Sequence, residues 1–165
     1  MAPGANGLTG ADHDNLLRAV ERFAQSIEMA GMPRMAARVF AFVLADDGDR
    51  YTATELARGL RVSPAAISGA LRFLVDIRLL FREREPGMRS DLYRVYDDDV
   101  WRAIMLARIP LLEQWQAGLD EAIDLIGKER RGRRLIETRE FFAFIHQEML
   151  MMTDRWAHHR RERLE

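Results

Sequence analysis

The chain has 165 residues, 48% of them hydrophobic, a net charge of -1 and no cysteine. That length can bury a core, and the missing thiols exclude disulfide stapling, thiolate catalysis, cysteine-ligated zinc and thiol-based redox sensing. No segment approaches an apolar membrane span, and the first residues, MAPGANGLTGADHD, lack both a basic region and an apolar run, so a cytoplasmic protein without membrane contact is expected. In chain order, Leu16, Val20, Phe23 and Ile27 step by four, three and four residues, which predicts a helix ending near Gly31. Pro33 begins a second helix with Met35, Val39, Phe42 and Val43 on its apolar face, and Asp46-Asp47-Gly48-Asp49 closes it as a loop. Arg34 and Arg38, one turn apart on that helix, suit either a DNA backbone or neighbouring acids.

The segment YTATELARGLRVSPAAISGALRFLVDIRLL reads as two helices about a tight turn. Thr54 is placed to cap a helix carrying Leu56, Ala57 and Leu60, Gly59 to Val62 form the turn, and Ser63-Pro64 opens the next helix. In that helix Ile67, Ala70, Leu71 and Leu74 make one apolar stripe, while Pro64, Ala65, Ser68, Gly69 and Arg72 point away from it. A small, polar outer face lets a backbone approach DNA while Ser68 and Arg72 reach base edges or phosphates. FREREPGMRSDLYRVY then places strands at Phe81 to Glu85 and Asp91 to Tyr96 about a Pro86-Gly87 turn, with Arg82 and Arg84 on one face and Arg89 at the tip. A solvated charged hairpin gives the same pattern, but its position directly after the helix pair favours a DNA-contacting wing. Arginines concentrate in this reader, and all but one of the 25 basic residues are arginine.

Beyond the wing, one of Asp97 to Asp99 is placed to cap a long helix through Trp101, Ile104, Leu111, Leu112, Trp115, Leu119 and Ile126, which Pro110 must kink or divide. A basic loop from Lys128 to Arg134 leads to a last helix with Phe141, Ile145, Met149, Met152 and Trp156 on one stripe. So much apolar surface outside a small reader calls for a partner, and a second copy of the chain is the simplest. The expected architecture is mainly α: one winged helix-turn-helix domain over residues 1–165, with a DNA-binding lobe at 33–96 and dimerisation helices at 8–31 and 98–163. Leu16, Val20 and Phe23 join the stripe of the last helix as expected interface residues.

These residues resemble the MarR-like winged-helix transcriptional regulators, and among them the GbsR-type branch; VSPAAISGALRFL carries the most specific part of the likeness. The resemblance implies a homodimer that reads palindromic double-stranded DNA, often as a repressor released by a small-molecule effector. By position it assigns DNA contacts to Thr52, Ser63, Pro64, Ala65, Ser68, Gly69 and Arg72, and wing contacts to Arg82, Arg84 and Arg89. The Lys128 to Arg134 loop falls outside the family pattern.

Tyr51, Tyr93, Tyr96, Trp101 and Trp115, with Phe81, could cluster about an aromatic or cationic effector, although aromatics at these spacings more often fill a core. No Gly-rich phosphate loop, nucleophile elbow or zincin helix is present, so no catalytic activity or cofactor is expected. Asp154 and His158, spaced i, i+4, supply only two metal ligands and read more plainly as a polar helix tail. The competing functional reading is a winged-helix module that binds an acidic protein instead of DNA.

Overall fold

The computed structural model describes residues 10–46, 48–87, 90–95, 99–126 and 132–164. The chain divides into two compact units, Met1–Tyr96 and Asp97–Glu165, where a single domain was expected. The division falls at the expected end of the reading lobe, but the first helix, expected to serve dimerisation, goes with the reader.

In the first unit, α1 (Gly10–Met29) packs along α2 (Arg34–Asp46). Consecutive residues from Val39 to Val43 are buried, so α2 is enclosed by neighbours and forms the centre of the unit. Val20 is 1% exposed, and Ala24 one turn on is buried too, so this part of the α1 stripe faces its own chain. β1 (Tyr51–Thr52), α3 (Ala53–Gly59) and α4 (Pro64–Asp76) follow, then β2 (Phe81–Glu83) and β3 (Leu92–Arg94). The strands form an antiparallel sheet in the order β1-β3-β2, pairing Tyr51 with Tyr93 and Arg82 with Tyr93 on its other side. Both wing strands are shorter than expected, and β1 had no counterpart in the sequence reading.

Thr52, rather than Thr54, caps α3. Its hydroxyl oxygen accepts from the Glu55 N–H at 3.2 Å, and the Glu55 carboxylate accepts from the Thr52 N–H at 2.7 Å, a reciprocal capping box. Gly59 permits the close approach of α3 to α2, since a Cβ there would lie 2.3 Å from Phe42 Cζ. Both reader helices then end in left-handed turns formed by arginine: Arg61 at φ 53° and Arg78 at φ 57°. The N–H of Val62 returns to the Ala57 carbonyl and that of Leu79 to the Leu74 carbonyl, each at 2.9 Å, which closes the helix ends as Schellman turns.

The second unit contains α5 (Val100–Leu106), α6 (Ile109–Ile126) and α7 (Arg133–Leu164). Asp99 is the acid that caps α5: its Oδ1 accepts from the Arg102 N–H at 3.0 Å and from the Trp156 indole N–H at 2.7 Å, which ties the start of α5 to α7. Pro110 occupies the second position of α6, so the expected long helix is divided in two. Arg108 sits in the break and donates to the Ile104 carbonyl at 2.7 Å, with burial lowering its pKa. Arg133 and Arg134, expected in the basic loop, form the first turn of α7, while Lys128 to Arg131 lie outside the described residues. Thr153 is the one buried residue among those described in α7.

Candidate nucleic-acid interface

The helix-turn-helix is built from α3, the turn at Leu60 to Val62, and α4. Ile67, Ala70, Leu71 and Leu74 are buried, as their spacing predicts, and this fixes the rotation of α4. Pro64, Ala65, Ser68, Gly69 and Arg72 are consequently exposed on the opposite face. Ser63 caps α4 by accepting from the Ala66 N–H at 3.4 Å. That role leaves its hydroxyl proton free to donate outward. Arg72 makes no ion pair among the described residues, so its guanidinium carries an uncompensated charge at the surface. Gly69 has no atom within 4 Å of the position a Cβ would take. Internal packing therefore gives no reason for a glycine in the middle of a helix, where it costs about 0.5–1 kcal/mol relative to alanine. Thr52 differs from these residues: its hydroxyl donates to Glu55 Oε2 at 2.9 Å as well as accepting from the Glu55 N–H, so it is engaged in the cap.

The wing is more acidic in effect than its arginines suggest. Asp91 approaches Arg84 at 3.2 Å and Arg82 at 3.7 Å, so one carboxylate stands between two of the expected DNA contacts. Their meeting at Asp91 agrees with a shared strand face, and both arginines remain well exposed, at 61% and 79%. Exposed pairs of this kind are worth about 0–1 kcal/mol. Arg94 is held more firmly, with Glu83 at 2.6 Å, and Glu85 pairs with Arg50. Arg38 takes Glu21 at 2.6 Å, which settles the nearer of its two expected partners as an acid. Arg89 lies outside the described residues.

The aromatic residues considered for an effector are divided between the units. Tyr51 is buried, its hydroxyl donating to Asp46 at 2.8 Å and accepting from the Gly48 N–H at 2.7 Å. It is therefore a core residue that fastens the loop after α2. Tyr93 is half-buried; burial raises its pKa, Asp91 adds to the rise and Arg82 opposes it. In the second unit, Trp101 and Trp115 are about half-exposed, and Trp115 stacks at a tilt on Phe142 with ring centres 5.1 Å apart. Leu111, Trp115, Gly118, Leu119 and Phe142 line an open groove of about 690 Å³. Tyr96 lies outside the described residues. Of the expected interface residues, Leu16, Ile145, Met149 and Trp156 are partly covered, whereas Phe23, Phe141 and Met152 are exposed.

Residues 99–162 match the family model described as MmpR5-like MarR family transcriptional regulator, a match that falls on the helices of the second unit. The chain is 28% identical over 138 residues to the HTH-type transcriptional regulator MmpR5 of Mycobacterium tuberculosis, covering 82% of each sequence. It is 30% identical over 79 residues to the putative HTH-type transcriptional regulator YvaV of Bacillus subtilis, covering 48% of this chain and 44% of that one. A crystal structure of a transcriptional regulator shares the fold with a TM-score of 0.70 and 24% identity, over 87% of this chain and 99% of the other. Among the described residues no helix is long and apolar enough to cross a membrane. The chain is thus similar to a MarR-like helix-turn-helix transcriptional regulator over most of its length and to that family's model along its second unit.

Proposed function

We propose that the chain is a homodimeric, sequence-specific binder of double-stranded DNA of the GbsR-type branch, acting in the cytoplasm as a repressor that a small-molecule effector releases. The observation that carries the DNA reading is the outer face of α4. Ser68, Gly69 and an unpaired Arg72 form a small, donor-rich surface, with a glycine that no internal contact demands. Close docking of that face against a groove supplies the missing reason for Gly69. Arg72 reads bases or phosphates, Ser63 and the N-terminal turn of α4 meet the backbone, and Arg82 and Arg84 trade Asp91 for phosphates.

The homodimer reading is supported by the second unit. Eleven of the thirteen large apolar side chains that stand exposed among the described residues belong to it, including Trp101, Phe141 and Phe144. The Gln116 side-chain N–H group is also buried without a partner among the described residues. A symmetric partner would cover the apolar faces and bring two copies of α4 to half-sites about one helical turn apart.

The test is selection of binding sites from genomic DNA, followed by titration of the best duplex and a scrambled one at two salt concentrations. A palindrome bound specifically and with a steep salt slope is expected. Sequence-indifferent binding would sink the DNA reading and favour the protein-interaction module. Gly69→Ala sharpens the test, because it should stabilise the fold by about 0.5–1 kcal/mol while weakening the cognate duplex.

A further inference from the structure

A helix reads base edges only with the atoms it can offer, and α4 offers few. In the major groove guanine presents two acceptors, N7 and O6, adenine an acceptor beside an amine, cytosine an amine, and thymine an acceptor beside a C5 methyl group. Guanine is therefore read by a guanidinium, adenine by an amide side chain, cytosine by a carboxylate, and thymine by apolar contact. The sequence of α4, PAAISGALRFLVD, contains no asparagine, glutamine or glutamate. Its one carboxylate, Asp76, is the last residue of the helix, about three turns beyond Ala65.

Within the preceding turns the exposed residues are Pro64, Ala65, Ser68, Gly69 and Arg72. Arg72 alone carries a fixed fork of donors, and it makes no ion pair among the described residues, so the fork is not committed within the chain. Ala65 offers a bare methyl group in the first turn. The Ser68 hydroxyl both donates and accepts, and so favours no base. Gly69 offers no side chain, and no atom lies within 4 Å of the place its Cβ would take. Ala65 and Arg72 stand two turns apart on one face, about 10 Å along the axis, which spans about three base pairs of a duplex.

We infer that α4 reads two bases in each half-site: a guanine, held through N7 and O6 by Arg72, and a thymine about three base pairs away, whose methyl group packs on Ala65. Adenine and cytosine go unread by this helix, and the positions between the two anchors tolerate substitution. The inference rests on the DNA reading of α4 and gives that reading its base chemistry.

The test uses the full chain and the best duplex from genomic selection, remade with single base analogues. 7-Deazaguanine removes N7 from guanine, 7-deazaadenine removes it from adenine, and uracil lacks the thymine methyl group, all with base pairing kept. These atoms lie in the major groove, so minor-groove contacts do not enter. One guanine in each half-site should lose about tenfold in affinity as its deaza analogue, one thymine two to four base pairs away about threefold as uracil, and no adenine more than about 1.5-fold. Arg72→Ala should abolish the guanine penalty and keep the uracil one, and Ala65→Gly should do the reverse. Each penalty is a ratio between two duplexes on one protein, so a change in the variant's stability cancels. A flat guanine or thymine profile, an adenine penalty as large as that of guanine, or penalties that survive both variants overturn the inference and leave sequence-specific binding intact. A selected duplex bound no better than a scrambled one overturns the DNA reading, and this inference with it.

Discussion

The two units of this chain solve the burial problem differently. The first has a true core: Phe42, Leu56, Leu60, Ile67, Leu71, Leu74 and Leu80 are all fully enclosed. In the second, only Ile104, Leu112, Ile123 and Thr153 are buried among the described residues, while Phe141 and Phe144 remain 56% and 59% exposed. The 32-residue α7 has one buried side chain among the described residues. The difference teaches that the first unit closes a core within the chain, whereas the second leaves most of its large apolar side chains exposed among the described residues.

The comparison breaks if the two units respond alike to truncation. Leu74→Ala should cost about 2–5 kcal/mol in denaturant unfolding, because it empties a site in a closed core. Phe144→Ala should change the stability of an isolated chain by no more than about 0.5 kcal/mol, yet shift the monomer-dimer equilibrium in sedimentation. A monomeric wild-type protein at micromolar concentration would end the association reading of the second unit. Within the reader, Arg72→Ala should cost about 1–3 kcal/mol on a cognate duplex and much less on a random one. Equal losses would reduce Arg72 to a phosphate contact. Smaller again, Thr52→Ala should lower stability by about 1 kcal/mol through loss of the cap, whereas Thr54→Ala should stay within about 0.5 kcal/mol. A reversal of that order would place the cap at Thr54.

The fourth helix, α4, was legible in the sequence because two independent signals agreed. Ser63-Pro64 marks its start, and Ile67, Ala70, Leu71 and Leu74 fix its rotation, so the exposed set followed without further information. The start of α3 was misplaced for want of attention to spacing: Thr52 and Glu55 stand at the separation of a capping box, a stronger signal than the nearness of Thr54 to the first leucine. β1 could not be read locally, since two residues become a strand only through pairing with β3 some forty positions later. The same holds for the wing charges. Alternation put Arg82 and Arg84 on one face, but the return of Asp91 between them depends on the turn geometry. Arg133 and Arg134 looked like loop because charge clusters there, although arginine is a good helix former and both begin α7. The bond from Tyr51 to Asp46 was not legible either, since its aromatic character drew attention to a ligand while the acceptor lay within the preceding helix.

One residue joins the wing to the helix pair. Thr52 is at once the last residue of β1, opposite Leu92 of β3, and the cap of α3. Sheet and helix therefore share a hinge pin, and the wing cannot peel away from β1 without loosening the first turn of α3. Amide hydrogen exchange should register this as a single opening event, with Glu55 and the paired wing amides losing protection together while the amides of α4 remain closed. A force applied to the wing by a bound duplex would reach the helix-turn-helix along the same line.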